Sequence, residues 1–137
     1  MPTDMKMKDY DKDRPKILAL DLDGTVLNYD GDFGHDDFGE ALKGMVQELE
    51  ELVRNGWVVV IWTCRNDSPK MREHLRQQGI PFSYVNDHPW NKPDGPRKIH
   101  ADVYADVKAL EFSGISAGFA TRVMEHKPWW QSIPWGS

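Results

Sequence analysis

The sequence predicts an α/β domain, a three-layer Rossmann-like fold with a mostly parallel sheet. Apolar segments alternate with segments of helical periodicity, and the connections between them are short. The segment WVVVIW at residues 57–62 is continuously apolar, as in a strand covered on both faces by other layers. A length of 137 residues suits one domain with its own core.

The predicted strands are short and end in polar or turn-forming residues. They span residues 16–21, 57–62, 82–86 and 101–106. Because parallel strands are joined by right-handed crossovers, the carboxyl ends of all of them should meet at one edge of the sheet.

Helices are predicted in the first two crossovers. Apolar residues recur at three- and four-residue steps from Phe38 to Val53, and Gly56 stands where a C-terminal cap belongs. Ser68 precedes a proline and is the expected N-cap of the next helix, which ends near Gly79.

The chain divides into a core and two flanking segments. Residues 1–14 are polar and aperiodic, which predicts a flexible N-terminal arm. Residues 15–112 contain every predicted strand and helix and are expected to form the core, with loops at 22–35 and 87–97. Residues 113–137 are rich in Trp and are expected to pack on or beside that core.

Composition narrows the class of protein. The formal charge of −5 gives no broad basic field for binding nucleic acid or an anionic membrane. No apolar stretch approaches the roughly 20 residues of a membrane span. The single Cys64 excludes an internal disulfide, and the first residues lack the apolar centre of a signal peptide, so we expect a cytoplasmic protein.

Acidic residues follow the first predicted strand directly. Asp21 and Asp23 are one residue apart, and Gly24 and Thr25 come next. Two neighbouring carboxylates repel each other, so a bound cation or a retained proton is needed to stabilise the pair. Oxygen ligands of this kind suit Mg²⁺, which commonly binds one or two carboxylates together with a substrate phosphate.

Polar residues that follow the other strands should lie at the same edge, where open parallel sheets bind ligands. They are Thr63 and Arg65 after the second strand, Asn86 and Asp87 after the third, and Asp106 after the fourth. Arg65 and Lys98 would supply positive charge to an anionic ligand, and Thr63 would bind phosphate oxygens. The set favours metal-assisted phosphoryl transfer with a carboxylate nucleophile.

Other interpretations of these residues are structural. Asp-Xaa-Asp-Gly also forms simple turns, although its position after an apolar strand favours a site. An EF-hand loop is excluded because the glutamate at its twelfth position is missing. Cys64 is expected to be a buried apolar residue and Asp102 a structural one, since it lies further from the rim than Asp106.

Three segments resemble motifs of the haloacid dehalogenase-like (HAD) hydrolase superfamily. LALDLDGTV resembles the first motif, VVVIWTCR the second, and RKIHADVYADVKAL the third and fourth as they run together in small members. Their order and spacing agree over residues 16–110. Neither interval between the motifs holds a cap domain, so the chain resembles the capless phosphatases.

The resemblance implies a Mg²⁺-dependent phosphatase that hydrolyses a phosphomonoester through an aspartyl-phosphate. Asp21 would be the nucleophile and a metal ligand, and Asp23 the general acid and base, with its carbonyl on the metal. Thr63 would bind the transferring phosphoryl group, Lys98 would neutralise it, and Asp106 would complete the metal site. The residues expected to contact substrate are Gly24, Thr25, Cys64 and Arg65.

Three points of the resemblance stay open. Lys92 is an alternative to Lys98 as the neutralising lysine. Similar proteins often end the fourth strand with two acids, whereas Val107 follows Asp106 here. The open site would be closed by another copy of the chain or by the Trp-rich tail. Four tryptophans would either stack on a base or a partner surface or pack on the core: Trp90, Trp129, Trp130 and Trp135.

The expected substrate is a small phosphorylated metabolite, and no membrane partner is expected. One alternative is a nucleic-acid end bearing a 3′-phosphate, because the phosphatase halves of polynucleotide-repair enzymes show the same order of motifs. The other alternative is a non-catalytic binding module with a decayed site. It is suggested by Val107, which stands where similar proteins often have a second acid.

Overall fold

The sheet is built around β1 (Ile17–Leu20), a strand buried along its whole length. In this computed structural model, which describes residues 14–29, 37–91 and 97–132, β1 pairs with β2 (Val58–Ile61). The outer strands are β3 (Tyr84–Val85), beside β2, and β4 (Val103–Ala105), on the other side of β1. All pairs are parallel and the order is β3-β2-β1-β4, which confirms the predicted α/β class.

Three α-helices accompany the sheet in the described part of the chain. They are α1 (Met45–Arg54), α2 (Pro69–Gln77) and α3 (Phe119–Glu125), and a short 3₁₀ helix follows at Trp129–Ser132. The prediction for α2 is confirmed, since the Ser68 hydroxyl accepts a hydrogen bond from the backbone of Met71. Among the described residues, none of these helices combines the length and apolarity that crossing a membrane requires.

The predicted start of the first helix at Phe38 is wrong, because α1 begins only at Met45. Gly44, at φ 82°, adopts the left-handed conformation immediately before it and sets the start. The preceding residues instead run beside the turn after β1, where Asn28 N–H donates to the Glu40 carbonyl at 2.7 Å. Phe38 still packs against the core, so its apolar spacing reflects burial from an irregular segment.

Topology decides which layer covers each face of the sheet. The chain moves outward from β1 to β3, so right-handed crossovers place α1 and α2 on one face. Leu49 of α1 and Leu75 of α2 share a core cluster there with alternate residues of the strands. The connection from β3 to β4 returns in the opposite direction and covers the other face with Ile99, an irregular third layer.

Asp102 holds the edge of the sheet opposite to the predicted site. Its carboxylate accepts a hydrogen bond from Ile17 N–H at 2.8 Å and pairs with the Arg14 guanidinium at 3.0 and 3.3 Å. The hydrogen bond from Arg14 holds the pKa of Asp102 below its usual range. Asp102 therefore has the structural contacts expected of it, while the rest of the predicted N-terminal arm lies outside the described residues.

We predict that Asp102→Asn lowers the free energy of unfolding at pH 7. The lowered pKa means that the carboxylate stabilises the fold above about pH 4, the ordinary value for Asp, and loses this contribution as the pH falls further. Urea denaturation should show a difference from the wild type at pH 7 that shrinks towards pH 3. Glu50→Gln, a change on the exposed face of α1, is the control and should show no such trend.

Candidate active site

The carboxyl ends of β1, β2 and β4 meet at one cavity of about 420 Å³. Two backbone hydrogen bonds continue the sheet beyond the strands, from Asp21 N–H to the Ala105 carbonyl and from Trp62 N–H to the Leu20 carbonyl, each 2.9 Å long. The side chains that follow these strands are thereby held at one edge. The cavity is lined by Asp21, Asp23, Tyr29, Thr63, Cys64, Arg65, Asn66, Asp106, Lys108 and Trp130.

Asp21 is the acid with the most perturbed surroundings. Burial raises its pKa to about 6, and the nearby carboxylates of Asp106 and Asp23 add to this effect. Thr25 Oγ1 lies 3.4 Å from Asp21 Oδ2 and donates to it, while accepting a hydrogen bond from Val107 N–H at 3.2 Å. Asp21 is thus a fixed carboxylate whose negative charge is poorly compensated by the protein.

Asp23 is compensated by an arginine. Its carboxylate accepts two hydrogen bonds from the Arg65 guanidinium, at 2.8 and 3.1 Å. The same guanidinium donates to the Asp37 carbonyl at 2.8 Å and lies 4.5 Å from the centre of the Phe38 ring. Arg65 therefore connects the acid after β1 to the segment that precedes α1.

Thr63 is positioned by the end of β3. Asn86 adopts φ 59° and its side-chain oxygen accepts a hydrogen bond from Thr63 N–H at 2.8 Å. The Thr63 hydroxyl in turn accepts one from Arg65 N–H at 3.1 Å. Asn86 is thus part of the scaffold of the loop after β2, while Asp87 accepts from Asn91 outside the residues that line the cavity.

The loop after β4 brings an acid and a lysine into the cavity. Asp106 Oδ1 accepts a hydrogen bond from Lys108 N–H at 2.9 Å, which turns the chain so that Lys108 also lines the cavity. Val107, the residue between them, lies close to Gly24. Val107 stands at the position where the resemblance implies a second acid. The site thus has one carboxylate from β4 and an apolar neighbour beside it.

The structure does not bring Lys98 to the cavity. Its Nζ lies 5.2 Å from the centre of the Tyr104 ring, whose side chain packs on the opposite face of the sheet. Lys92 lies outside the described residues. Lys108 was not among the predicted site residues. Its position in the turn two residues after Asp106 could have indicated that it lies near the cavity.

Cys64 differs from its predicted burial. The thiol is exposed and lines the cavity, because β2 has already ended at Ile61 and the loop turns outward. The predicted core position of Cys64 is therefore wrong, while its contact with substrate stays a prediction.

Two aromatic side chains form a wall of the cavity that the sequence alone did not resolve. The rings of Tyr29 and Trp130 meet edge to face, with 4.9 Å between their centres. Trp129 Nε1 donates to the Gly24 carbonyl at 2.6 Å, so the 3₁₀ helix is attached directly to the turn after β1. The Trp-rich tail was expected to close the site or to pack on the core, but its aperiodic sequence did not specify this contact.

The donor atoms of the cavity suit Mg²⁺ only if the protein contributes few of the ion's ligands. Among the described residues, no group of three or more His, Cys, Asp and Glu side chains has the geometry of a metal site. Asp21 and Asp106 are nevertheless close enough to raise the pKa of Asp21, which indicates a place for positive charge. Two carboxylates suffice for Mg²⁺, which usually keeps several waters.

Comparison with known proteins supports the fold alone. No family model and no curated protein matches the chain. A solved structure described as a conserved protein from Bacteroides thetaiotaomicron is similar, with a TM-score of 0.57 and 22% sequence identity. The similarity covers 81% of this chain and 90% of that one, so most of both chains share this arrangement of strands and helices.

We predict that Asp21→Asn stabilises the metal-free protein above pH 6. Because the pKa of Asp21 is raised to about 6 in the fold, the folded chain binds the extra proton between about pH 4 and 6, and stability falls as the pH rises through this range. Asparagine carries no charge and avoids that loss. Thermal melting in EDTA should show a higher Tm than the wild type at pH 8 and a smaller difference at pH 4.

Asp23→Asn is the matched control, since it should have the opposite effect. It weakens the paired contact with Arg65 and should lower the Tm at pH 8. Equal shifts for both variants would contradict the assignment of the unfavourable charge to Asp21.

We predict that Gly24→Ala is more destabilising than Gly56→Ala. Both glycines adopt φ 85°, so alanine is strained at each. At Gly24 the added Cβ would also lie 2.8 Å from Cδ1 of Trp130, whereas no atom lies within 4 Å of it at Gly56. Urea denaturation should give an additional loss of about 1–3 kcal/mol for Gly24→Ala, and this difference should shrink in a Trp130→Ala background, where only the 3.3 Å contact with Val107 Cγ2 is left.

Proposed function

We propose that the protein is a Mg²⁺-dependent phosphatase of phosphomonoesters, as the resemblance to HAD hydrolases implies. The observation that carries the proposal is the convergence of Asp21, Thr63, Asp106 and Lys108 from different strand ends on one cavity. Acidic residues for a nucleophile and a metal, and basic and hydroxyl groups for a phosphate, are what phosphoryl transfer requires of a protein.

Asp21 is the proposed nucleophile. One carboxylate oxygen attacks phosphorus as the bond from phosphorus to the leaving oxygen breaks, which gives an aspartyl-phosphate. The hydrogen bond from Thr25 supports this role, because it fixes the orientation of the carboxylate. Water then attacks phosphorus and releases inorganic phosphate, which regenerates Asp21.

Asp23 is the proposed general acid and base. It would give a proton to the leaving oxygen in the first step and take one from water in the second. In the present pairing with Arg65 the Asp23 side chain accepts two hydrogen bonds, and an acceptor at this position suits the second step. For the first step, we propose that Arg65 turns to the phosphoryl oxygens, which frees Asp23 to carry the proton.

Asp21, Asp106 and the main-chain carbonyl of Asp23 are the proposed ligands of Mg²⁺. When bound, the ion would neutralise these carboxylates and the phosphoryl oxygens. Thr63 would donate a hydrogen bond to the phosphoryl group. In our proposal Lys108 takes the neutralising role that the resemblance implies for Lys98, because Lys108 lines the cavity.

A small phosphorylated metabolite is the proposed substrate, and the cytoplasm is the proposed compartment. The net charge of −5 opposes binding of a nucleic-acid strand, whose affinity depends on neutralising phosphates. The thiol of Cys64 is free and exposed, which suits a reducing compartment.

We predict that the wild type hydrolyses 4-nitrophenyl phosphate with Mg²⁺ and loses this activity in EDTA. Asp21→Asn should lower kcat by about 10³-fold or more because the nucleophile is lost, and Asp23→Asn by about 10²–10⁴-fold. Release of inorganic phosphate measures both. Mg²⁺ should also raise the Tm of the wild type.

The matched control is Asp102→Asn, an acid-to-amide change at the opposite edge of the sheet, which should keep kcat at a temperature where the variant is folded. Equal low rates for the wild type and Asp21→Asn, with no effect of Mg²⁺ on Tm, would overturn the phosphatase and favour a non-catalytic binding module. Preferential hydrolysis of a 3′-phosphorylated oligonucleotide would replace the small metabolite by a nucleic-acid end.

A further inference from the structure

The segment after α3 folds back onto the site and is attached to it at two backbone carbonyls. His126 Nε2 donates to the Val107 carbonyl at 3.1 Å, and Trp129 Nε1 donates to the Gly24 carbonyl at 2.6 Å. One contact is to the loop after β4 and the other to the turn after β1. The segment is therefore positioned against both of the acidic strand ends of the cavity.

Trp130 directly follows the second of these attachments and lies beside Gly24. A Cβ on Gly24 would lie 2.8 Å from Trp130 Cδ1 and 3.3 Å from Val107 Cγ2, so the indole and the valine occupy the space beside this glycine. A larger residue at Gly24 would displace the indole. The absence of a side chain at Gly24 therefore leaves the space in which the Trp130 ring packs at the cavity.

We propose that Trp130 and Tyr29 recognise a flat ring in the leaving group of the substrate. Both side chains line the cavity that contains Asp21, and their rings pack edge to face at 87°, which fixes the orientation of the indole. This proposal rests on the proposed function and specifies its substrate class as an aryl phosphate or a nucleoside monophosphate. Open-chain and sugar phosphates are then the poorer substrates.

The composition of the cavity supports this assignment. The cavity is lined both by charged and hydroxyl groups that suit a phosphate, including Thr63, Arg65 and Lys108, and by the aromatic pair, which supplies apolar surface. A volume of about 420 Å³ falls in the range of small-molecule sites. Stacking of one base on an aromatic side chain corresponds to a factor of about 5 to 150 in affinity.

The test compares ligand pairs that differ only in the ring. AMP and ribose 5-phosphate share the sugar and phosphate, and phenyl and cyclohexyl phosphate share their size. Calorimetric titration of Asp21→Asn, with Mg²⁺, measures binding without turnover. We expect at least about a fivefold preference for the flat member of one pair, and which pair shows it distinguishes a nucleotide from an aryl phosphate.

Variants of Trp130 separate recognition from packing. Trp130→Phe keeps a flat ring and should keep the preference, whereas Trp130→Leu keeps apolar volume and should abolish it. The ratio of the two affinities is measured on one preparation, so partial unfolding does not change it. Trp90→Leu, a tryptophan that packs on the opposite face, is the matched control and should leave the ratio unchanged.

Failure of the substrate class and failure of the phosphatase give different results. Equal affinities within both pairs, or a preference that Trp130→Leu retains, would overturn the aromatic recognition even if hydrolysis occurs. A preference that depends on Trp130, with no hydrolysis by the wild type, would support the recognition and overturn the phosphatase.

Discussion

The hydrogen bond from Asp21 N–H to the Ala105 carbonyl sets the geometry on which the site depends. It extends the pairing of β1 with β4 by one residue, so Asp21 and Asp106 leave adjacent strands at the same level. Because the buried core fixes the register of these parallel strands, the residues that follow them must lie next to each other. Burial at this strand end, followed by the neighbouring carboxylate of Asp106, raises the pKa of Asp21.

The two acids after β1 differ in how far the protein compensates their negative charge. Asp23 receives two hydrogen bonds from the Arg65 guanidinium, whereas Asp21 receives a long one from the Thr25 hydroxyl and one from the backbone of Leu22, neither of which carries a charge. A site that satisfied both carboxylates internally would leave no negative charge for a bound cation to neutralise. The unequal compensation supports the proposed division into a nucleophile and an acid–base residue.

Features that depend on burial and strand order could be predicted from the sequence, whereas features that depend on loops could not. The apolar run at 57–62 identified β2, and the order of strands placed Asp21, Thr63 and Asp106 at one edge. The apolar spacing around Phe38 predicted a helix, but an irregular segment packs Phe38 against the core instead. Which lysine enters the cavity and where Trp130 packs depend on long-range contacts that leave no periodic signal.

The walls of the cavity come from segments outside the sheet, and each is attached to a different part of the turn after β1. Arg65 ties Asp23 to the residues before α1 through the Asp37 carbonyl. Trp129 attaches the tail to Gly24, the residue after Asp23. Under the proposed phosphatase activity, these segments would exclude water from the phosphoryl group. In our proposal the aromatic wall then performs two tasks, because an apolar surface that displaces water is also the surface that selects a flat leaving group.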